Sequence, residues 1–362
     1  MIPHVRNLGQ KVGLSAFILL VSLFTGVHSQ SLGDSIRLKY QLPELAYAVV
    51  SADSVLEIHL SGIKQRGGNH PAQLTDRFRI GSNTKAITAF IAARMVQQGL
   101  LSWNTKFVDL FPSFKKQMRA PYRSYNLLNL LIFRCRLPKW TYTNAQPSVA
   151  TIAGSAVEQR MQFALWILRQ KPVHAKDSIN FSNPAYVLAG LMLEKASGKS
   201  YEQLIQDLAT ELHIEIGFGA PISSDTLQTC GHDADLVPET TIDNPRLNWL
   251  MAAGNLNLSL PDYIRFIQLQ LRGLQTGDGQ ISKQQYQWLH HGFTRFALGW
   301  FNHTEQGKQY SFNTGNPGTF LSHVLVADDS NRALIIFTNV QSPEAGEGVK
   351  ALTDSLRLRY QF

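Results

Sequence analysis

The chain has 362 residues, 44% of them hydrophobic, 10% aromatic and 17% charged, and 34 Lys and Arg against 26 Asp and Glu give a net charge of +8. A chain this long and apolar buries a full core, which excludes disorder as its main state. Two cysteines are too few for a disulfide scaffold, no Cys/His cluster has zinc-site spacing, and a single outstanding apolar run excludes a multi-span membrane protein.

That run opens the chain. Arg6 and Lys11 precede an apolar stretch from Leu14 to Phe24, and Gly26-Val27-His28-Ser29 supplies small residues for cleavage. The stretch falls short of the roughly 20 residues a spanning helix needs. Residues 1–29 therefore read as an export signal cut near Ser29, which leaves a periplasmic or secreted protein with no stable membrane span. Export makes nucleic acid a poor partner, and the basic cluster Lys115, Lys116, Arg119 and Arg123 reads as a solvated face.

Next, Ala46–Val50 and Val55–Leu60 are short apolar runs separated by Ser51-Ala52-Asp53-Ser54, which predicts a hairpin. From Ser82, the residues Ile87, Phe90, Ile91 and Met95 recur at helical spacing, with Gly99 as the stop. Pro184 opens a second helix that carries Leu188, Leu191 and Met192 inward and ends at Gly198. Ser200 with Gln203, and Ser259 with Asp262, have the spacing of helix N-caps. Towards the C-terminus, Phe296–Phe301, Gln309–Asn313, Thr319–Ala327 and Ala333–Val340 read as strands, followed by a helix from Pro343 to Arg359. Strands at both ends with helices between predict an α+β fold. Its antiparallel sheet, built from about residues 30–80 and 290–362, is flanked by helices, with an inserted all-helical subdomain over about 81–289.

The local signal for chemistry is Phe78-Arg79-Ile80-Gly81-Ser82-Asn83-Thr84-Lys85 at a helix start. Ser82 and Lys85 are three apart, on one helix face. A serine hydroxyl becomes a nucleophile when a base takes its proton, and a desolvated lysine with a lowered pKa is such a base. Alone, the spacing equally describes a capping serine and a surface lysine. Further along stand Phe181-Ser182-Asn183-Pro184-Ala185-Tyr186 before a helix, Ala253-Gly254-Asn255, and Asn313-Thr314-Gly315 at a strand end.

Taken in order, these segments resemble the serine β-lactamase-like hydrolases, that is class C β-lactamases, D-alanyl-D-alanine carboxypeptidases and related esterases, from about residue 43 to the end. The resemblance implies the β-lactamase/transpeptidase-like fold, with a site in the cleft between sheet and helical subdomain. It makes Ser82 the acylated nucleophile, Lys85 its basic partner and Asn183 the asparagine of the Y-x-N motif. It also makes Asn313-Thr314-Gly315 the K/H-T-G element that binds substrate, and gives an oxyanion hole to the backbone N–H groups of Ser82 and Asn316. It implies a small-molecule or peptide substrate, cell-wall peptide among them, with no metal or organic cofactor.

Three positions depart from the family pattern. Phe181 replaces the motif tyrosine and cannot relay a proton; Asn313 replaces Lys or His and brings no charge; Ile132-Phe133-Arg134-Cys135-Arg136-Leu137-Pro138 replaces a small turning segment. Two readings follow. In one, a hydrolase with rewired acid–base groups acts through a Ser82 acyl-enzyme on a β-lactam, D-Ala-D-Ala peptide or ester. In the other, a degenerate binding protein holds cell-wall peptide or a protein partner in the same cleft. The retained Ser82–Lys85 pair favours the enzyme. Tyr142-Thr143-Asn144 has the Y-x-N spelling without the helix context and reads as coincidence, and Tyr186 reads as core. His232-Asp233-Ala234-Asp235 reads as a polar loop, His290-His291 as surface or cleft-rim residues, and Gly315-Asn316-Pro317-Gly318 as a turn. Cys135 and Cys230 fit either one disulfide or two buried thiols.

Overall fold

Side chains on a strand alternate between faces, and β1 (Glu44–Val50) shows both faces covered. Leu45, Tyr47 and Val49 join one apolar cluster, while Ala46, Ala48 and Val50 join another. The computed structural model describes Met1 and residues 31–174, 179–240 and 244–362. The export signal expected at 1–29 lies, Met1 apart, outside the described residues. Among these residues no helix is long and apolar enough to cross a membrane.

Residues Leu32–Phe362 form one compact unit. Strand β1 hairpins with β2 (Val55–Gly62), as the Ser51–Ser54 turn predicts. The short β3 (Arg77–Arg79), β4 (Gly217–Phe218) and β5 (Leu256–Ser259) make a three-stranded sheet in the order β3-β5-β4. The remaining strands are β6 (Phe301–Glu305), β7 (Lys308–Gly315), β8 (Leu321–Ala327) and β9 (Arg332–Thr338). The main sheet runs β2-β1-β9-β8-β7-β6, with every pair antiparallel. The two ends of the chain thus share one sheet, Tyr47 lying opposite Ile336.

Helices cover both faces. α1 (Leu32–Lys39) packs on the C-terminal helix at one side, and α2 (Thr84–Gln97), which follows Ser82, lies on the other, within the larger cluster. There follow α3 (Ala156–Arg169), α4 (Asn183–Ser197), α5 (Tyr201–Leu212), α6 (Leu260–Thr276), α7 (Lys283–His291) and α8 (Pro343–Tyr360). Ser200 and Gln203 cap α5 reciprocally, and Ser259 accepts the Asp262 amide to start α6, as their spacing predicts. Between α3 and α5, Arg160 bonds the carboxylates of Glu194 and Glu202 at 2.5 and 2.6 Å.

Two differences from the sequence reading have local causes. The small sheet puts strands inside a stretch expected to be helical, because two- to four-residue strands carry no readable alternation. The strand expected from Phe296 begins only at Phe301, since Gly299 (φ +86°) turns the chain tightly onto α2. A Cβ there would lie 2.6 Å from Ala86 Cα.

Candidate active site

Ser82 sits in a single 3₁₀ turn, Gly81–Asn83, that leads into α2. Gly81 adopts φ +49°, and a Cβ on it would come within 2.7 Å of the Asn316 nitrogen just beyond β7. Only glycine brings the Ser82 turn that close to the Asn316 amide. Polar side chains fasten the contact. Asn83 Nδ2 donates to Ser322 Oγ at 2.7 Å, and Ser322 Oγ donates to Ile80 O at 2.7 Å. Asn313 Nδ2 donates to Ser82 O at 3.2 Å and to Gly299 O at 2.8 Å.

One turn on, Lys85 is 4% exposed, with Nζ 2.8 Å from Ser82 Oγ and 2.6 Å from Ala253 O. Burial alone pushes its pKa down to about 7. At neutral pH much of the amine is therefore uncharged and has a lone pair for a proton. Tyr186 places its ring 5.7 Å from Nζ, but its hydroxyl donates to Leu131 O at 2.8 Å. Burial holds that phenol well above its ordinary pKa, so Tyr186 is a core side chain.

The remaining site residues take distinct places. Asn183, first residue of α4, lines the cavity beside Ser82 and donates Nδ2 to Trp140 O at 3.2 Å, while Ala253 O holds the lysine. Phe181 is half-buried in the same wall. Asn313 is fully buried, its Oδ1 accepting from the Thr314 amide, so its side chain braces the Ser82 turn and does not reach into the cavity for a carboxylate. Thr314 is the exposed member, its Oγ1 2.9 Å from His323 Nδ1, and Gly315 ends β7.

Ser82 and Lys85 open onto a cavity of about 340 Å³ lined by Phe133, Phe181, Phe296, Phe301, Asn313 and Thr314, with Lys139 at its exposed rim. On the other side of Ser82 a narrow extension of about 40 Å³ is lined by Tyr142, Asn183, Asn316 and Pro317. Tyr142 thus belongs to the cavity surroundings, although its Y-x-N spelling reads as coincidence in sequence. The Phe181–Tyr186 segment still supplies the asparagine next to Ser82.

Other expectations meet plain outcomes. His232 donates Nδ1 to Asn339 O at 2.7 Å and accepts the Arg66 amide at Nε2, tying down a loop. His290 is not at a rim. The Ser282 cap of α7 aims it inward with Tyr286, and it bonds Ser311 Oγ at 2.6 Å. Cys135 and Cys230 are free, buried thiols.

A family model described as Beta-lactamase matches residues 20–357. The chain belongs to the Beta-lactamase family. It is 24% identical over 260 residues to Penicillin-binding protein 4* of Bacillus subtilis (strain 168), covering 70% of this chain and 52% of that protein. With Protein flp of Staphylococcus aureus (strain NCTC 8325 / PS 47) the figures are 23% over 296 residues, covering 75% and 54%. The chain thus spans about half the length of these curated relatives. Among solved structures it superposes on a class C β-lactamase from Rhodobacter sphaeroides with a TM-score of 0.71 at 17% identity, over 90% of this chain and 98% of that one. For a D-alanine carboxypeptidase from Burkholderia cenocepacia the TM-score is 0.70 at 16% identity, over 89% and 96%. These likenesses establish the fold.

Within this Beta-lactamase family chain, the three departures converge in space. Phe133, from the bulky basic segment, meets Phe181 edge-on and Phe296 at a tilt, with ring centroids 5.3 and 4.7 Å away. In the sequence Phe133 and Phe181 stand out separately, Phe296 and Phe301 appear only as the ends of an expected strand, and His323 carries no signal at all. Asn83 and Ser322 were equally silent, since a buried amide–hydroxyl pair between a turn and a distant strand has no spacing signature.

Proposed function

We propose that this chain is a serine hydrolase that works by acyl transfer through Ser82. The observation that carries this reading is the buried Lys85 amine, near neutrality, 2.8 Å from Ser82 Oγ. Ser82 Oγ attacks the carbonyl of an amide or ester while Lys85 Nζ takes its proton. The bond to the leaving nitrogen or oxygen breaks, and Lys85 returns the proton to that group. Water then adds to the acyl carbon, gives a proton to Lys85, and the carboxylic acid departs as the proton goes back to Ser82 Oγ. The Ser82 and Asn316 amides are the donors proposed for the oxyanion, Asn183 orients the reacting groups, and Thr314 and Gly315 border the substrate. Asn313 supports the turn from behind.

The membership in the Beta-lactamase family and the fold of its solved neighbours support hydrolysis as the class of reaction. The basic, apolar and small residues of 1–29 support export to the periplasm or beyond. The test is intact-mass analysis after incubation with a fluorophosphonate and with a fluorescent penicillin. Wild type is expected to gain one adduct with the fluorophosphonate and Ser82→Ala none. No Ser82-dependent adduct with either reagent would overturn the proposal.

A further inference from the structure

We infer that the cavity beside Ser82 is a subsite for an apolar acyl group, so that the substrates are esters of short-chain or aromatic acids without a carboxylate next to the scissile bond. This rests on Ser82 being the nucleophile, as proposed above, and concerns what that nucleophile accepts.

Four phenyl rings make the wall. Phe181 lies 5.1 Å from Phe301, 5.6 Å from Phe296 and 5.3 Å from Phe133, and Phe296 lies 4.9 Å from Phe301. All four line the cavity, Phe133 and Phe296 buried and Phe181 and Phe301 half-buried. Phe133 reaches this wall from a left-handed backbone, φ +58°, which a bulky residue adopts only when its surroundings hold it there. Asn180 supplies that hold by donating its amide to Phe133 O at 2.9 Å.

The polar side of the cavity lacks what an anionic substrate needs. Asn313 is buried and commits both ends of its amide to backbone groups. The Thr314 hydroxyl is paired with His323, which burial keeps neutral with a pKa of about 4. Of the cavity's two lysines, Lys85 is buried and engaged with Ser82 Oγ and Ala253 O, and Lys139 is exposed at the rim. A volume of about 340 Å³ is at the low end of the roughly 300–1,000 Å³ typical of ligand sites, room for one ring or a short chain.

The test is hydrolysis of p-nitrophenyl esters from acetate to octanoate, with phenylacetate alongside, compared with acylation by a cephalosporin that carries the β-lactam carboxylate. The expected result is a rise in kcat/KM of roughly fourfold per added methylene until the cavity is full. Cephalosporin acylation is expected to be slower than the best ester by at least a hundredfold. Phe301→Ala enlarges the cavity and is expected to move the optimum to longer chains; Phe301→Leu, closer in volume, repeats the test should the first variant misfold. A chain-length profile that is flat or falling, or a cephalosporin that acylates as fast as the best ester, overturns the subsite. Both outcomes leave a Ser82-dependent fluorophosphonate adduct in place. Loss of that adduct is the separate failure of the hydrolase reading.

Discussion

Among the described residues no carboxylate balances the charge of Lys85; its acceptors are a hydroxyl and a carbonyl. Burial lowers its pKa to about 7, and the sign of the resulting pH dependence follows. Below that pH the amine is protonated and cannot take the Ser82 proton, whereas above it the lone pair is free. Hydrolysis of a neutral ester is therefore expected to rise with pH and level off above about 7, in a pH–rate profile of kcat/KM. Lys85→Arg, charged at every accessible pH, is expected to lose about 10²–10⁴-fold and to flatten that profile. A profile of wild type without an inflection between pH 6 and 8 would remove Lys85 from the role of base.

At the scale of elements, the site is a seam where one 3₁₀ turn meets the end of β7. Gly81 sets the gap: a methyl group there meets the Asn316 nitrogen at 2.7 Å and suffers a positive φ as well. Gly81→Ala is expected to push the two proposed oxyanion donors apart. The loss of kcat should be about 10²–10³-fold with the circular dichroism spectrum unchanged, since the helix behind the turn keeps its packing. Much of this level was legible in sequence. The caps at Ser200 and Ser259, the turn before Val55 and the order of motif segments all depend on local chemistry, and the helices and hairpin follow them. What stayed hidden depends on distant partners. Nothing in Asn313 announces that its amide turns inward to Ser82 O, because that choice is made by Gly299, fourteen positions earlier. The four-ring wall was invisible for the same reason: its members come from three separate segments, around Phe133, Phe181 and Phe296–Phe301.

Across the whole molecule, the two thiols sit apart in the core, and burial pushes Cys135 up to about 12 and Cys230 up to about 11. A thiol reacts as its thiolate. Neither is expected to react quickly with a disulfide reagent in the native protein, while two equivalents should titrate on unfolding in denaturant. Fewer than two equivalents in the unfolded chain would show a bond between them. The fold class was legible at this scale from strands gathered at both ends of the chain, and the sheet indeed brings them together. Which strands adjoin which was not, since register is fixed by the packing of both faces.

The sheet order also sets when the chemistry comes into being. Ala46 pairs with Phe337, and β7 and β8, whose side chains fasten the Ser82 turn, lie more than two hundred residues downstream of it. Contacts this distant along the chain close late in folding. Ser82 and Lys85 precede in the chain every strand that braces them: until β9 inserts between β1 and β8, the growing polypeptide carries the proposed pair without its frame.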